Sequence, residues 1–160
     1  MPEAKTIKKA AKAKKQGKSA STQAGEFVRE EIDQIRKGKH GASSAKQAIA
    51  IGLSKARRAG VDLKPPKKGT VSEKTRKSAE SAYRKGQKGE PIDKERSEAS
   101  EKALKKKPRS VASHEALSKQ AKAAAKKRPA SDGSAAAKKA ARTRAKNESR
   151  KNRKPERKNS

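Results

Sequence analysis

The sequence predicts a mainly α-helical chain, a small helical hairpin with several weaker helices, set between basic N- and C-terminal arms expected to be disordered. Three observations predict it. Lys and Arg number 47 against 17 Asp and Glu, a net charge of +30. Leu, Ile, Val and Phe make only 15 of the 160 residues, too few for a continuous core. Nine of those fifteen fall within residues 21–63, and they recur with helical spacing.

Residues 1–20 hold seven Lys and one Glu, without apolar periodicity. They read as a basic disordered arm that becomes helical when its charge is neutralised. Residues 21–63, with a local net charge of +3, read as the hairpin module. Its first helix is expected from about Thr22 to Lys37, with Val28, Ile32 and Ile35 at i, i+4, i+7 and Phe27 beside them. Gly38 is its expected stop. Ser44 and Gln47 form an S-x-x-Q capping box for the second helix. That helix carries a stripe of Ala45, Ala48, Ile49, Gly52, Leu53 and Ala56 and is expected to close at Gly60, with Val61 touching Ala56. Ile51 points off the stripe, where it suits a partner or a third helix.

Pro65 and Pro66 break the chain. Residues 64–128 read as a Lys/Arg-rich, conditionally helical region with three weak patterns. The first opens on a Thr70-to-Glu73 box and presents Thr75, Ala79, Ala82 and Tyr83 before a stop at Gly86. The second follows Pro91, with Ala99, Ala103 and Leu104 on one side. The third begins near Ser113 and carries Ala116, Leu117, Gln120, Ala121 and Ala124. Alanine stripes have good helix propensity but bury little. Residues 129–160, with 11 basic and 3 acidic side chains, read as a low-complexity disordered tail.

Charge of this size calls for a polyanion, because phosphates bound by Lys and Arg release their condensed counterions. A membrane surface would need Trp, Phe or Leu on one helix face, and the chain has one Phe and no Trp. A cysteine-free chain has no disulfide, thiolate metal site or Cys nucleophile. The two histidines, His40 and His114, have no second ligand at metal spacing, so no metal or other cofactor is expected. His40, in the GKHG loop, is expected at the surface. Carboxylates such as Asp33, with Arg29 and Lys37 four residues away on either side, read as solvated surface pairs, and no catalytic residue is assigned. The chain is not expected to be an enzyme.

The candidate contacts to nucleic-acid backbone follow from charge and from helix starts. Lys39, Ser43, Ser44 and Lys46 surround the start of the second helix, where backbone N–H groups can hold a phosphate. Lys55, Arg57 and Arg58 stand at its far end. Lys138, Lys139, Arg142 and Arg144 represent the tail. The link between the hairpin helices is too long for an ordinary helix-turn-helix, and a lone Tyr83 makes no stacking platform.

The run STQAGEFVREEIDQIRKGKHGASSAKQAIAIGLSKARRAG, followed by PPKKG and KTRKSAESAYRKGQ, resembles a family of small, basic, uncharacterised bacterial proteins. Members are often labelled DNA-binding or histone-like. The resemblance covers about residues 19–90 and implies a bacterial source; beyond that, the tail is similar only in composition to linker-histone tails. The combined expectation is non-specific DNA binding in the cytoplasm, at the nucleoid, by coating, bridging or compaction, with self-association through the hairpin. The alternatives are an RNA- or ribosome-associated protein, and a scaffold that binds a protein partner through the hairpin.

Overall fold

The computed structural model describes residues 2–127, 137–138, 141–145 and 148. The described residues are mainly helical and include no strand. The helices are α1 (Ala4–Lys15), α2 (Ala20–Arg36), α3 (Ala45–Arg58), α4 (Glu73–Gln87), α5 (Lys94–Lys105) and α6 (His114–Lys126), with a 3-10 turn at Ser110–Ala112. The chain divides into two units, Met1–Gln120 and Ala121–Ser160.

The longest helix, α2, organises the first unit, with α1 on one side of it and α3 on another, and α4 lies against α3. Two apolar clusters form along α2. Toward its start, Phe27 and Ala24 pack with Ala10 of α1 and with Ala56 and Val61 at the end of α3. Toward its end, Ile32 and Ile35 pack with Ala42, Ala48 and Ala112. Burying one large apolar side chain contributes roughly 1.5–3 kcal/mol, and an alanine far less. Phe27 and Ile35, 1% and 0% exposed, are therefore the main apolar anchors of an alanine-rich interior.

The approach of α3 to α2 depends on small residues. Ala45, Ala48, Gly52 and Ala56 are the buried apolar positions of α3, whereas Ile49, Ile51 and Leu53 are only half-buried. Ile49, expected on the buried stripe, belongs to neither cluster. A Cβ placed on Gly52 would lie 2.7 Å from the Val28 Cα, so the two backbones almost touch. Large side chains are displaced to the flanks because the centre has no room for them.

Helix ends follow local chemistry closely. Ser19, Ser44, Ser72, Asp93 and Ser113 each accept a hydrogen bond from the amide three residues on. At α3 the Gln47 Oε1 returns to the Ser43 amide at 2.6 Å, one residue earlier than a capping box requires. The cap of α4 is Ser72, displacing the expected start at Thr70, whose hydroxyl instead donates to the Lys67 carbonyl. At the end of α3 the amides of Gly60 and Val61 donate to Arg57 and Ala56, a Schellman closure. Gly60 takes φ +82°, where a side chain would be strained. Helices α1, α2 and α4 close with the same pair of bonds, at Gly17, Gly38 and Gly89.

Three expectations are corrected. Residues 4–15, expected as an arm awaiting neutralisation, form α1 with Thr6, Ala10 and Ala13 buried against the first unit. The i, i+4, i+7 spacing of these small residues supplies a docking stripe that a search for large apolar side chains misses. Gly86 does not stop α4. It lies inside the helix, where a Cβ would collide with the Arg57 carbonyl, so it serves close approach of α4 to α3. The region after residue 64 also takes part in the interior, through Ala79, Ala82 and a fully buried Ala112. Its backbone is tied to the α2–α3 loop, since the amides of Gly41 and Ala42 donate to the carbonyls of Leu104 and Pro108. Of the tail expected at 129–160, the described residues are helical and exposed, and the others, Lys139 among them, lie outside the described residues.

Candidate nucleic-acid interface

The loop between α2 and α3 was the expected phosphate cradle, and five of its amides are already engaged. Gly38 and Lys39 donate to the end of α2, Gly41 and Ala42 to the 104–108 segment, and Ser43 to Gln47. Ser44 uses its hydroxyl as the cap of α3. Ser43, Ser44 and Lys46 are exposed and sit together at this helix start. Lys39 is also exposed, with its Nζ 3.3 Å from Glu3 Oε1. This end offers those side chains to a phosphate beside the first amides of α3, Ala45 and Lys46, which donate to no acceptor among the described residues.

The far end of α3, about 16 Å along the helix from Lys46 to Arg57 at ~1.5 Å per residue, does different work. Lys55 Nζ donates to Glu31 Oε2 at 2.6 Å and to Gln34 Oε1 at 3.4 Å. Arg57 is 7% exposed and donates through Nε to the Leu63 carbonyl and through Nη2 to that of Lys64. Burial lowers its pKa from the ordinary arginine value, although a guanidinium keeps its proton at any working pH. Arg58 donates to the Pro91 carbonyl. Lys55 and Arg57 are therefore internal fasteners, and the sequence reading of them as surface contacts is corrected. Their charge ties α3 to α2 and to the chain leaving α3.

A buried polar cluster that sequence reasoning missed accompanies Lys55. The Glu31 carboxylate is wholly out of solvent, and His40, 6% exposed, places Nε2 3.4 Å from Glu31 Oε1 without an aligned hydrogen bond. His40 Nδ1 lies 3.2 Å from the Gly41 carbonyl oxygen. The expectation of a surface His40 fails because the loop folds back under the bonds that Gly41 and Ala42 make to residues 104–108. Among the described residues, no group of three or more His, Asp or Glu is placed to hold a metal ion.

The exposed positive charge of the first unit is concentrated elsewhere. Helix α1 carries six lysines and no carboxylate, and all six are exposed. On one flank, Lys5 and Lys9 line a cleft of about 150 Å³ opposite Glu26, Glu30 and Asp33 of α2. There Glu30 Oε1 accepts from the Glu3 amide at 2.9 Å and from Gln34 Nε2 at 2.7 Å, and its other oxygen is buried without a hydrogen-bond partner among the described residues. On α4 the acids are committed locally: Arg76 spans Glu73 at 2.6 Å and Glu80 at 3.2 Å. The hydrogen bond from Arg76 holds the Glu73 carboxyl below its usual range. The small-residue period of α1 and the Gly17 closure were the signals that could have located this helix.

The aromatic side chains are not presented to solvent as a platform. Phe27 is buried, and the half-buried Tyr83 donates to Asp62 Oδ1 at 2.6 Å, a bond that raises its pKa. In the second unit, Lys138, Arg142 and Arg144 are helical and exposed. No helix among the described residues is long and apolar enough to cross a membrane. No protein-family model, curated protein or solved structure matches the chain.

Proposed function

We propose that the protein binds the backbone of duplex DNA without reading its sequence, neutralising phosphates with exposed Lys and Arg. The observation that carries this reading is the net charge of +30, with a whole helix, α1, whose charged side chains are all lysine. Such a surface stays strongly positive and attracts a polyanion over several ångströms before contact. The commitment of Phe27 and Tyr83 to the interior and to Asp62 favours backbone contact over base stacking. Lys39, Lys46, Lys138, Arg142 and Arg144 are exposed and join the contact set, whereas Lys55 and Arg57 hold the helices together. The α2–α3 pair acts in this reading as the ordered hairpin that fixes orientation, and the basic ends supply affinity. The role is histone-like coating or bridging at the nucleoid, with no catalytic step.

Counterion release makes the test quantitative. With some six to ten phosphates engaged, affinity for a random-sequence duplex should fall about 10³–10⁵-fold between ~50 and ~200 mM salt. Titration at a series of salt concentrations measures this directly. A flat salt response, or strong preference for one duplex sequence, would overturn the reading. Preference for RNA over duplex DNA in the same titration would move the function to an RNA-bound role.

A further inference from the structure

We infer that the outward face of α1, formed by Lys8, Lys12 and Lys15, is a pre-formed docking site for the phosphate backbone of one strand; the inference rests on the function proposed above. Thr6, Ala10 and Ala13 are buried at i, i+4, i+7. With 3.6 residues per turn, Lys8, Lys12 and Lys15 repeat the same spacing on the opposite side of the helix. Three lysines therefore stand in one row, turned away from the rest of the first unit. The other flank is different, since Lys5 and Lys9 face the carboxylates of the cleft.

Three features make the row a site more than a share of the general charge. First, α1 has no Asp or Glu, so no carboxylate on the helix competes with a phosphate. Glu3, the one acid that precedes α1, is turned to Lys39 and gives its amide to Glu30. Second, the helix is already formed and anchored, with its end closed at Gly17. A pre-formed row of donors avoids the ordering cost that a basic arm would meet on binding. Third, its length fits. From Lys8 to Lys15 the row spans about 10 Å at ~1.5 Å per residue, a length over which one strand presents roughly three phosphates at ~3.4 Å each along the axis.

The test compares two triple substitutions in the full chain, each removing the same charge. Lys8→Gln, Lys12→Gln and Lys15→Gln empty the row. Lys94→Gln, Lys102→Gln and Lys105→Gln remove three exposed lysines of α5, each four residues from Glu98 or Glu101. Glutamine has nearly the helix propensity of lysine, so circular dichroism should be unchanged in both. Against a labelled duplex, the α1 triple should lose on the order of tenfold or more in affinity at moderate salt, and its log–log salt slope should shrink by about 3. The α5 triple should lose less than about threefold, and an α1 triple of arginines should bind as wild type. Equal losses in the two glutamine triples, with the wild type binding normally, would overturn the site and leave the proposed function standing. Failure of the wild type to bind duplex at all would remove both.

Discussion

Glu31 sits where α2 meets α3, its carboxylate held by Lys55 on one oxygen and neighboured by His40 on the other. Taking one partner from a buried pair leaves an uncompensated charge, which costs about 3–5 kcal/mol. Because the Lys55 side chain keeps 23% exposure, Lys55→Met should cost about 3 kcal/mol, the low end of that range. The double variant Glu31→Leu, Lys55→Met should recover most of the loss, since an apolar pair removes the desolvation cost of both ions. Urea unfolding followed by circular dichroism would check this, and a single variant as stable as wild type would show that Glu31 is solvated. None of this was legible in the sequence. Glu31 and Lys55 are 24 residues apart, and no residue three or four positions from either carries the opposite charge, so nothing local points to the contact. His40 lies between Lys39 and Gly41, a setting that reads as open loop. Its burial is imposed by backbone bonds to a segment more than 60 residues further along the chain.

Helix placement shows the same division between local and distant causes. Starts at Ser44 and Ser113 and the stops at Gly38 and Gly60 were legible, because caps and Schellman closures depend on neighbouring residues alone. Docking of α1 and the role of Gly86 were not, because alanine and glycine carry almost no apolar signal and matter through the space they leave. Two glycines separate propensity from packing. Gly25 is exposed in mid-α2, and a Cβ added there would meet nothing within 4 Å. Gly25→Ala should therefore stabilise by roughly 0.5–1 kcal/mol, the ordinary helix gain. Gly52→Ala has the same local gain available but drives its methyl into the backbone of Val28 at 2.7 Å and of Phe27 at 3.1 Å. Those atoms cannot swing aside as a flexible side chain would, so the helices must separate along a close-packed contact. The expected result is net destabilisation of about 1–3 kcal/mol, as for other overpacked interiors. Thermal melts of the two variants beside wild type would show shifts of opposite sign. Stabilisation in both would mean that α2 and α3 do not approach closely in solution.

At the scale of the whole molecule, the charge that suits a polyanion works against the fold. A net +30 over 160 residues repels itself, and compaction brings those charges closer. The opposing resources are thin: two alanine-rich clusters, a few buried charged groups held by hydrogen bonds, such as Glu31 and Arg57, and a few surface pairs such as Arg76 with Glu73 and Glu80. Surface pairs of that kind are worth about 0–1 kcal/mol each and weaken with salt. Screening acts on both sets, but the repulsive set is far larger, so added salt should favour the folded state. The Debye length shortens from about 30 Å at ~0.01 M to about 10 Å at ~0.1 M, so repulsion between separate helices fades while contact pairs keep part of their strength. The melting temperature should therefore rise with added salt while DNA affinity falls. Circular dichroism melts and duplex titrations on one preparation would record the two trends together. A melting temperature that drops with salt would show that ion pairs, and not self-repulsion, dominate the energetics of the fold.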